Sequence, residues 1–232
     1  MVCLVSVSLA DDENSRQLWL DFDDHFYLSE RWEFFGDTGY RAQVDDGTWK
    51  KLYARPSLRH HHRNYPLEGR FGLGVFWTYN EDSANQIELR PWGGVLFKWP
   101  KISILRFSHY VRLEDRIQWT TEDWDKETSF RLRYKLSTKI PLAREASEKY
   151  FFVPLSMEWF TDAEGHINER YSTDTRFDVG LGYIFSWVWV IEGHFIVQSS
   201  RASDDTTFDT SDYVVRVQLK RLWAAHDFMT QE

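Results

Sequence analysis

Two short groupings in the sequence carry side chains able to do acid–base or metal chemistry. His60-His61-His62 offers two imidazoles on one face of an extended chain, because residues two apart point the same way. No carboxylate follows at ligand spacing, and the run leads into Asn64-Tyr65-Pro66, a turn composition. The expectation is therefore a wet turn and no metal. Ser108-His109 places a hydroxyl beside an imidazole, as in hydrolases that pair Ser and His with an acidic or amide partner. Neighbours along a strand face opposite ways, so these two cannot hydrogen-bond to each other. No catalytic residue is assigned, and no cofactor is expected. Gly72-x-Gly74, Gly93-Gly94 and Gly180-x-Gly182 have no helix after them to cradle phosphate, and are expected to relieve crowding or permit bending. Acidic runs at Asp45-Asp46, Glu81-Asp82, Glu122-Asp123 with Asp125, and Asp204-Asp205 with Asp209 and Asp212 could hold divalent cations. Solvated loops explain them as well.

The richest chemistry is spread through the chain as a charged set with period two. In Thr128–Leu136, Phe130, Leu132, Tyr134 and Leu136 alternate with Arg131, Arg133 and Lys135. Gln86–Arg90 sets Ile87 and Leu89 against Glu88 and Arg90 in the same way. Such alternation marks strands with two chemically different faces. With long strands, an aromatic-rich apolar face and a charged opposite face, the pattern predicts a closed barrel, apolar outside and polar inside. The outward set is expected to include Leu89, Phe107, Leu132, Tyr134, Val179, Leu181, Phe195 and Val217. The inward set is a lumen charge network of Arg106, Arg112, Glu114, Arg116, Arg131, Arg133, Glu158, Arg176 and Asp178. Further inward charges are Glu33, Asp37, Arg41, Arg55, Arg59, Glu68, Arg70, Glu88, Arg90, Glu192, His194, Arg216 and Lys220. Arginine suits enclosed ion pairs because its planar fork meets carboxylates bidentately. This set would either stiffen and stop the lumen or line a narrow solute or ion pathway.

Eleven candidate strands can be marked, at 16–28, 31–43, 48–60, 67–79, 84–98, 101–116, 127–138, 149–161, 171–184, 187–199 and 211–223. An all-antiparallel closed barrel needs an even number. Twelve strands are therefore expected, with ten as the alternative and the extra strand sought between Lys101 and Trp119. Short and long connections are expected to alternate between the two rims. No run is apolar enough to cross a membrane as a helix, but a strand needs only about ten alternating residues per pass. The 12 Trp and 11 Tyr suit membrane–water boundaries, while a net charge of −8 argues against a nucleic-acid partner. Cys3 is the only cysteine, which rules out a disulfide framework. Residues 1–10, apolar with Ser8 and Ala10 near the end, read as the remnant of a signal peptide whose basic front would lie upstream. Residues 11–232 form the barrel domain.

An ordered series of motifs runs from Leu28-Ser29-Glu30-Arg31-Trp32 through Arg112-Leu113-Glu114-Asp115-Arg116 to Arg131–Leu136 with Ile140-Pro141-Leu142. It continues with Met157-Glu158-Trp159-Phe160, Arg176–Tyr183 with Phe185-Ser186, and a closing strand from Tyr213 to Trp223. In this series the chain resembles the bacterial outer-membrane barrels grouped as domain-of-unknown-function family 2490. The resemblance implies a Gram-negative outer membrane, contact with the lipid bilayer and lipopolysaccharide, and insertion by the barrel-assembly machinery. It brings no activity with it, and the expectation is a non-enzymatic barrel. Two alternatives stay open: a lipid-modifying hydrolase of the outer membrane, and a soluble β-barrel binding an apolar ligand inside.

Overall fold

The computed structural model of the chain describes residues 14–45, 47–103, 105–142, 149–164, 175–200 and 209–223. The expected signal remnant, 1–10, lies outside them. The described residues form eleven strands: β1 (Ser15–Tyr27), β2 (Trp32–Gln43), β3 (Trp49–His61), β4 (Leu67–Asn80), β5 (Gln86–Lys98), β6 (Phe107–Thr120), β7 (Lys126–Pro141), β8 (Tyr150–Glu164), β9 (Thr175–Ile184), β10 (Trp189–Ser200) and β11 (Asp209–Trp223). Each strand pairs antiparallel with the next, and β1 closes the ring by pairing with β11 in parallel.

The expected count of twelve, or ten, is corrected to eleven. The stretch between Lys101 and Trp119 holds no further wall strand. Ile102 and Leu105 exchange backbone hydrogen bonds of 2.9 and 3.0 Å around a tight turn, with Ser103 at φ 56°. β6 starts only at Phe107 and runs on to Thr120. The expectation of an even number fails because a parallel ladder, though slightly less stable per residue, satisfies backbone groups as fully as an antiparallel one. The seam runs in unbroken register from Ser15↔Asp212 to Phe26↔Trp223. Side chains stitch it on both faces. Inside, Arg216 Nε lies 2.6 Å from Asp21, Gln218 donates to Asp23 at 2.7 Å, and Ser15 hydrogen-bonds to Asp212. Outside, Arg221 and Trp223 both donate to Asp24, at 3.1 and 2.6 Å.

Ser15 and Trp223 thus mark opposite rims. Among the fully described connections, 81–85 and 121–125 belong to the Ser15 rim, and 28–31, 62–66 and 185–188 to the Trp223 rim. Three prolines interrupt the wall. The ladders break between Ala54 and Ser57, between Leu89 and Trp92, and between Phe152 and Leu155, around Pro56, Pro91 and Pro154, which have no N–H to give.

Alternation sorts the side chains cleanly. Leu132, Leu181, Phe195 and Val217 are exposed on the outer wall. Leu89, Phe107, Tyr134 and Val179 share that face and are half-buried. The buried set is mostly polar, from Glu33 and Asp37 through Glu88, Arg90 and Glu114 to Asp178 and Gln218. The core of this protein is a charged lumen, the reverse of what an apolar ligand site inside a soluble barrel requires. Glycines make room for the few luminal rings. Phe152, 0% exposed, lies so close over Gly182 that a Cβ there would overlap its ring, and Tyr53 covers Gly39 in the same way.

The seam yields a test. Arg216→Ala removes the guanidinium 2.6 Å from buried Asp21, which keeps the hydrogen bond donated by the Tyr53 hydroxyl at 2.6 Å. Breaking one side of a buried pair is expected to cost about 3–5 kcal/mol. Urea unfolding in detergent micelles measures this, and the double variant Asp21→Asn, Arg216→Gln is expected to recover more than half of the loss.

Candidate functional site

The lumen is organised around carboxylates that each serve several guanidinium groups. Glu114 on β6 is 1% exposed and sits 2.6 Å from Arg112 Nη2. It also accepts from Arg133 Nη1 of β7 at 2.7 Å and from Arg90 Nη1 of β5 at 3.3 Å. Glu88 accepts from Arg90 Nη2 at 2.6 Å and from Arg116 Nε at 2.7 Å. Arg133 turns its other terminal nitrogen to Glu158 of β8 at 2.6 Å, and Arg176 of β9 reaches the same carboxylate at 3.4 Å. From Arg176 the chain of bonds passes to Gln198 on β10 at 2.6 Å and to Asp212 on β11 at 2.9 Å. Asp212 bonds Ser15 across the seam. A continuous belt of polar contacts therefore runs from β5 round the inner wall to β1.

Two local rules place these groups. Period two puts Arg112, Glu114 and Arg116 on one face of β6, and Arg131, Arg133 and Lys135 on one face of β7. The register sets the like charges Arg112 and Arg133 directly opposite, the opposite charges Glu114 and Arg131, and Glu158 and Arg176, directly opposite, and Glu114 on the diagonal to Arg133. The long arginine stems reach the diagonal partner, and the planar fork lets one group serve two carboxylates.

Of the sequence-derived set, Arg112, Glu114, Arg116, Arg133, Glu158 and Arg176 are joined in this belt. Arg131 is buried on the same face, its guanidinium 5.7 Å from the centre of the Phe160 ring. Asp178 belongs to a separate cluster: His194 bridges it at 2.7 Å and Glu192 at 3.0 Å, and Lys220 meets Glu192 at 2.7 Å. Arg106 is exposed and precedes β6, which starts only at Phe107.

A third cluster, near the Trp223 rim, escaped sequence reasoning. Glu33 meets His25 at 2.6 Å, His61 at 3.1 Å and Arg59 at 3.2 Å. Glu68 meets Arg70 at 2.6 Å, Lys98 at 3.2 Å and His61 at 3.5 Å. The sequence around the histidine run shows no carboxylate at ligand spacing, but the hairpin registers Glu33↔Arg59 and His61↔Glu68 bring two. The signal was there in the inward phase of Glu33 and Glu68. His60 packs outside at a tilt against Trp32, with ring centres 4.7 Å apart, while His62 packs on Tyr65 in the turn at 4.9 Å. Among the described residues no group of His, Cys, Asp and Glu is arranged to hold a metal.

Ser108 and His109 diverge. Ser108 Oγ bonds Ser137 Oγ inside at 2.8 Å, and His109 Nδ1 bonds the Tyr134 hydroxyl outside at 2.6 Å. Among the described residues no histidine hydrogen-bonds to a serine or threonine hydroxyl. At the Ser15 rim, Asp123 accepts from the Thr120 hydroxyl and the Asp125 N–H, which hold its carboxyl below the ordinary value.

An apolar wall enclosing a belt of shared ion pairs defines the protein as a closed β-barrel with a charged lumen. A family model described as a protein of unknown function, DUF2490, matches residues 16–209, and the chain belongs to that family. Comparison with curated proteins gave no match.

The belt predicts strong coupling between its members. Glu114→Ala removes a carboxylate shared by three guanidinium groups, of which Arg90 keeps Glu88 and Arg133 keeps Glu158, and is expected to destabilise by about 3–5 kcal/mol. A double-mutant cycle of Glu114→Gln with Arg133→Gln, read by urea unfolding, is expected to give a coupling of about 1–3 kcal/mol. Additive losses would show that the two residues do not act as a pair.

Proposed function

We propose that the chain is a structural barrel of the bacterial outer membrane, set in the bilayer beneath lipopolysaccharide, with a lumen stopped by paired charges. One observation carries the reading: the large apolar side chains are outside and the charges inside. From Leu20 on β1 through Leu52, Leu73, Leu113 and Leu181 to Val217 on β11, every strand offers lipid a large apolar side chain that is exposed. In water such a surface would far exceed the few hundred Å² of apolar patch that soluble monomers tolerate. In hydrocarbon it is the favourable one, and a closed ring leaves no strand edge to satisfy. Exposed Trp99, Trp187 and Trp223 toward one rim, and Trp77, Tyr79 and Trp124 toward the other, suit the two interfaces as aromatic girdles. Insertion by the barrel-assembly machinery follows from this class of fold.

A non-catalytic role is supported by the divergence of Ser108 and His109, which leaves that pair without a hydroxyl activated by a base. Stopping of the lumen is supported by Glu114, Arg116 and Asp212, all among the most deeply buried side chains. The purified chain is expected to stay dispersed only with detergent or lipid, and to pass no steady current above background in planar bilayers. Steady current would replace the stopped lumen with a pathway. A monodisperse protein free of detergent would remove the membrane reading.

A further inference from the structure

The lumen is not filled evenly. Toward the Ser15 rim it widens into a half-open vestibule of about 510 Å³, which reaches from Thr48 and Ser83 at the mouth down to Arg55, Arg90 and Arg133. That volume lies within the range of small-molecule sites, roughly 300–1,000 Å³. Its described lining includes six arginines, one lysine and the carboxylate Glu88, and Arg55 of that lining is paired with Asp37. Arg90, Arg112, Arg116, Arg133 and Arg176 share Glu88, Glu114 and Glu158 beneath the floor.

Arg41 is the most informative member. Its guanidinium lies 3.9 Å from the centre of the Trp19 ring and 4.7 Å from that of Tyr53, so it is held between two aromatic side chains. It pairs with no carboxylate among the described residues, and its buried Nε has no hydrogen-bond partner there. The Arg176 guanidinium approaches the same Trp19 ring, at 5.0 Å. Two cations are thus gathered on one indole, a repulsive arrangement that a negative charge between them would relieve. A second donor on the wall, the buried Nε1 of Trp49, is also without a partner. Orphaned donors of this kind are costly unless something accepts from them.

We propose that this vestibule is a binding site for a small anion bearing two or more negative charges on phosphate or carboxylate groups, anchored by Arg41 and Arg176. The barrel is then a cup with an anion-binding bowl and a stopped floor. The proposal goes beyond the structural role and stands separately from it, because binding is read in detergent whether or not the protein conducts.

The test is isothermal titration of the full chain in zwitterionic detergent, with pyrophosphate as one probe and citrate as the other. Saturable one-to-one binding of at least one probe is expected, weakening as salt is raised. Binding of pyrophosphate alone assigns the site to phosphate groups, and binding of citrate alone or of both extends it to carboxylates. Arg41→Gln is expected to weaken binding at least tenfold, whereas Lys98→Gln, near the opposite rim, leaves it unchanged. Should Arg41→Gln fail to fold by circular dichroism, Gln118→Glu decides, since it adds a negative charge to the vestibule wall and is expected to weaken binding by a similar factor. Absence of saturable binding of both probes to the folded wild-type chain overturns the proposal. So does a folded Arg41→Gln variant that binds as the wild type does, or, where that variant does not fold, a Gln118→Glu variant that does.

Discussion

The parallel pairing of β1 with β11 is the interaction on which the enclosed lumen depends. An odd number of strands cannot close antiparallel, and an unclosed sheet would leave two rows of unpaired backbone groups beside a set of charges with no wall around them. The seam is held by more than its ladder. Asp21 with Arg216 and Asp23 with Gln218 inside, and Asp24 with Arg221 outside, put polar contacts on both faces of β1. These contacts offset the weaker hydrogen-bond geometry of a parallel ladder. They also fix register, since a slip of one residue would turn Asp21 out of the lumen.

Once the ring is closed, the lumen obeys the rule for buried charge: each group needs partners at good geometry, or the desolvation cost dominates. Shared hubs answer it, with Glu114 serving Arg90, Arg112 and Arg133, and Glu158 serving Arg133 and Arg176. A hub lets one carboxylate serve several cations, which is how so many arginines share the lumen. Rings take up space that charges do not. Arg41 lies against Trp19 and Tyr53, Arg112 approaches Trp92 at 4.3 Å, and Arg59 lies 3.7 Å from the Phe35 ring centre. Such contacts hold guanidinium groups in place without neutralising them.

Much of this was legible in the sequence, because alternation is a local signal. Phe130-Arg131-Leu132-Arg133 assigns faces whatever its neighbours do. Strand parity was not legible: it depends on whether the first strand meets the last in parallel, which no single strand encodes. The start of β6 was misplaced for a local reason, since Lys101–Arg106 continues the apolar and polar mixture of a strand while Ser103 adopts a left-handed turn. The partners of His61 were hidden for a different one. Glu33 and Glu68 lie far away in sequence and meet it only through the registers of β2, β3 and β4. The vestibule was hidden as well, because a cavity depends on how far side chains reach across a closed ring.

The central claim is that the outer wall meets hydrocarbon while the charges stay inside. The most direct measurement places one environment-sensitive label at Leu113, 61% exposed on β6, through Leu113→Cys in a Cys3→Ser background. The labelled protein is refolded into vesicles whose lipids carry bromine at mid-chain. Strong quenching of the label by the brominated chains, with no quenching by iodide in the water, is the result the account predicts. Quenching by iodide with none from the lipid would contradict it.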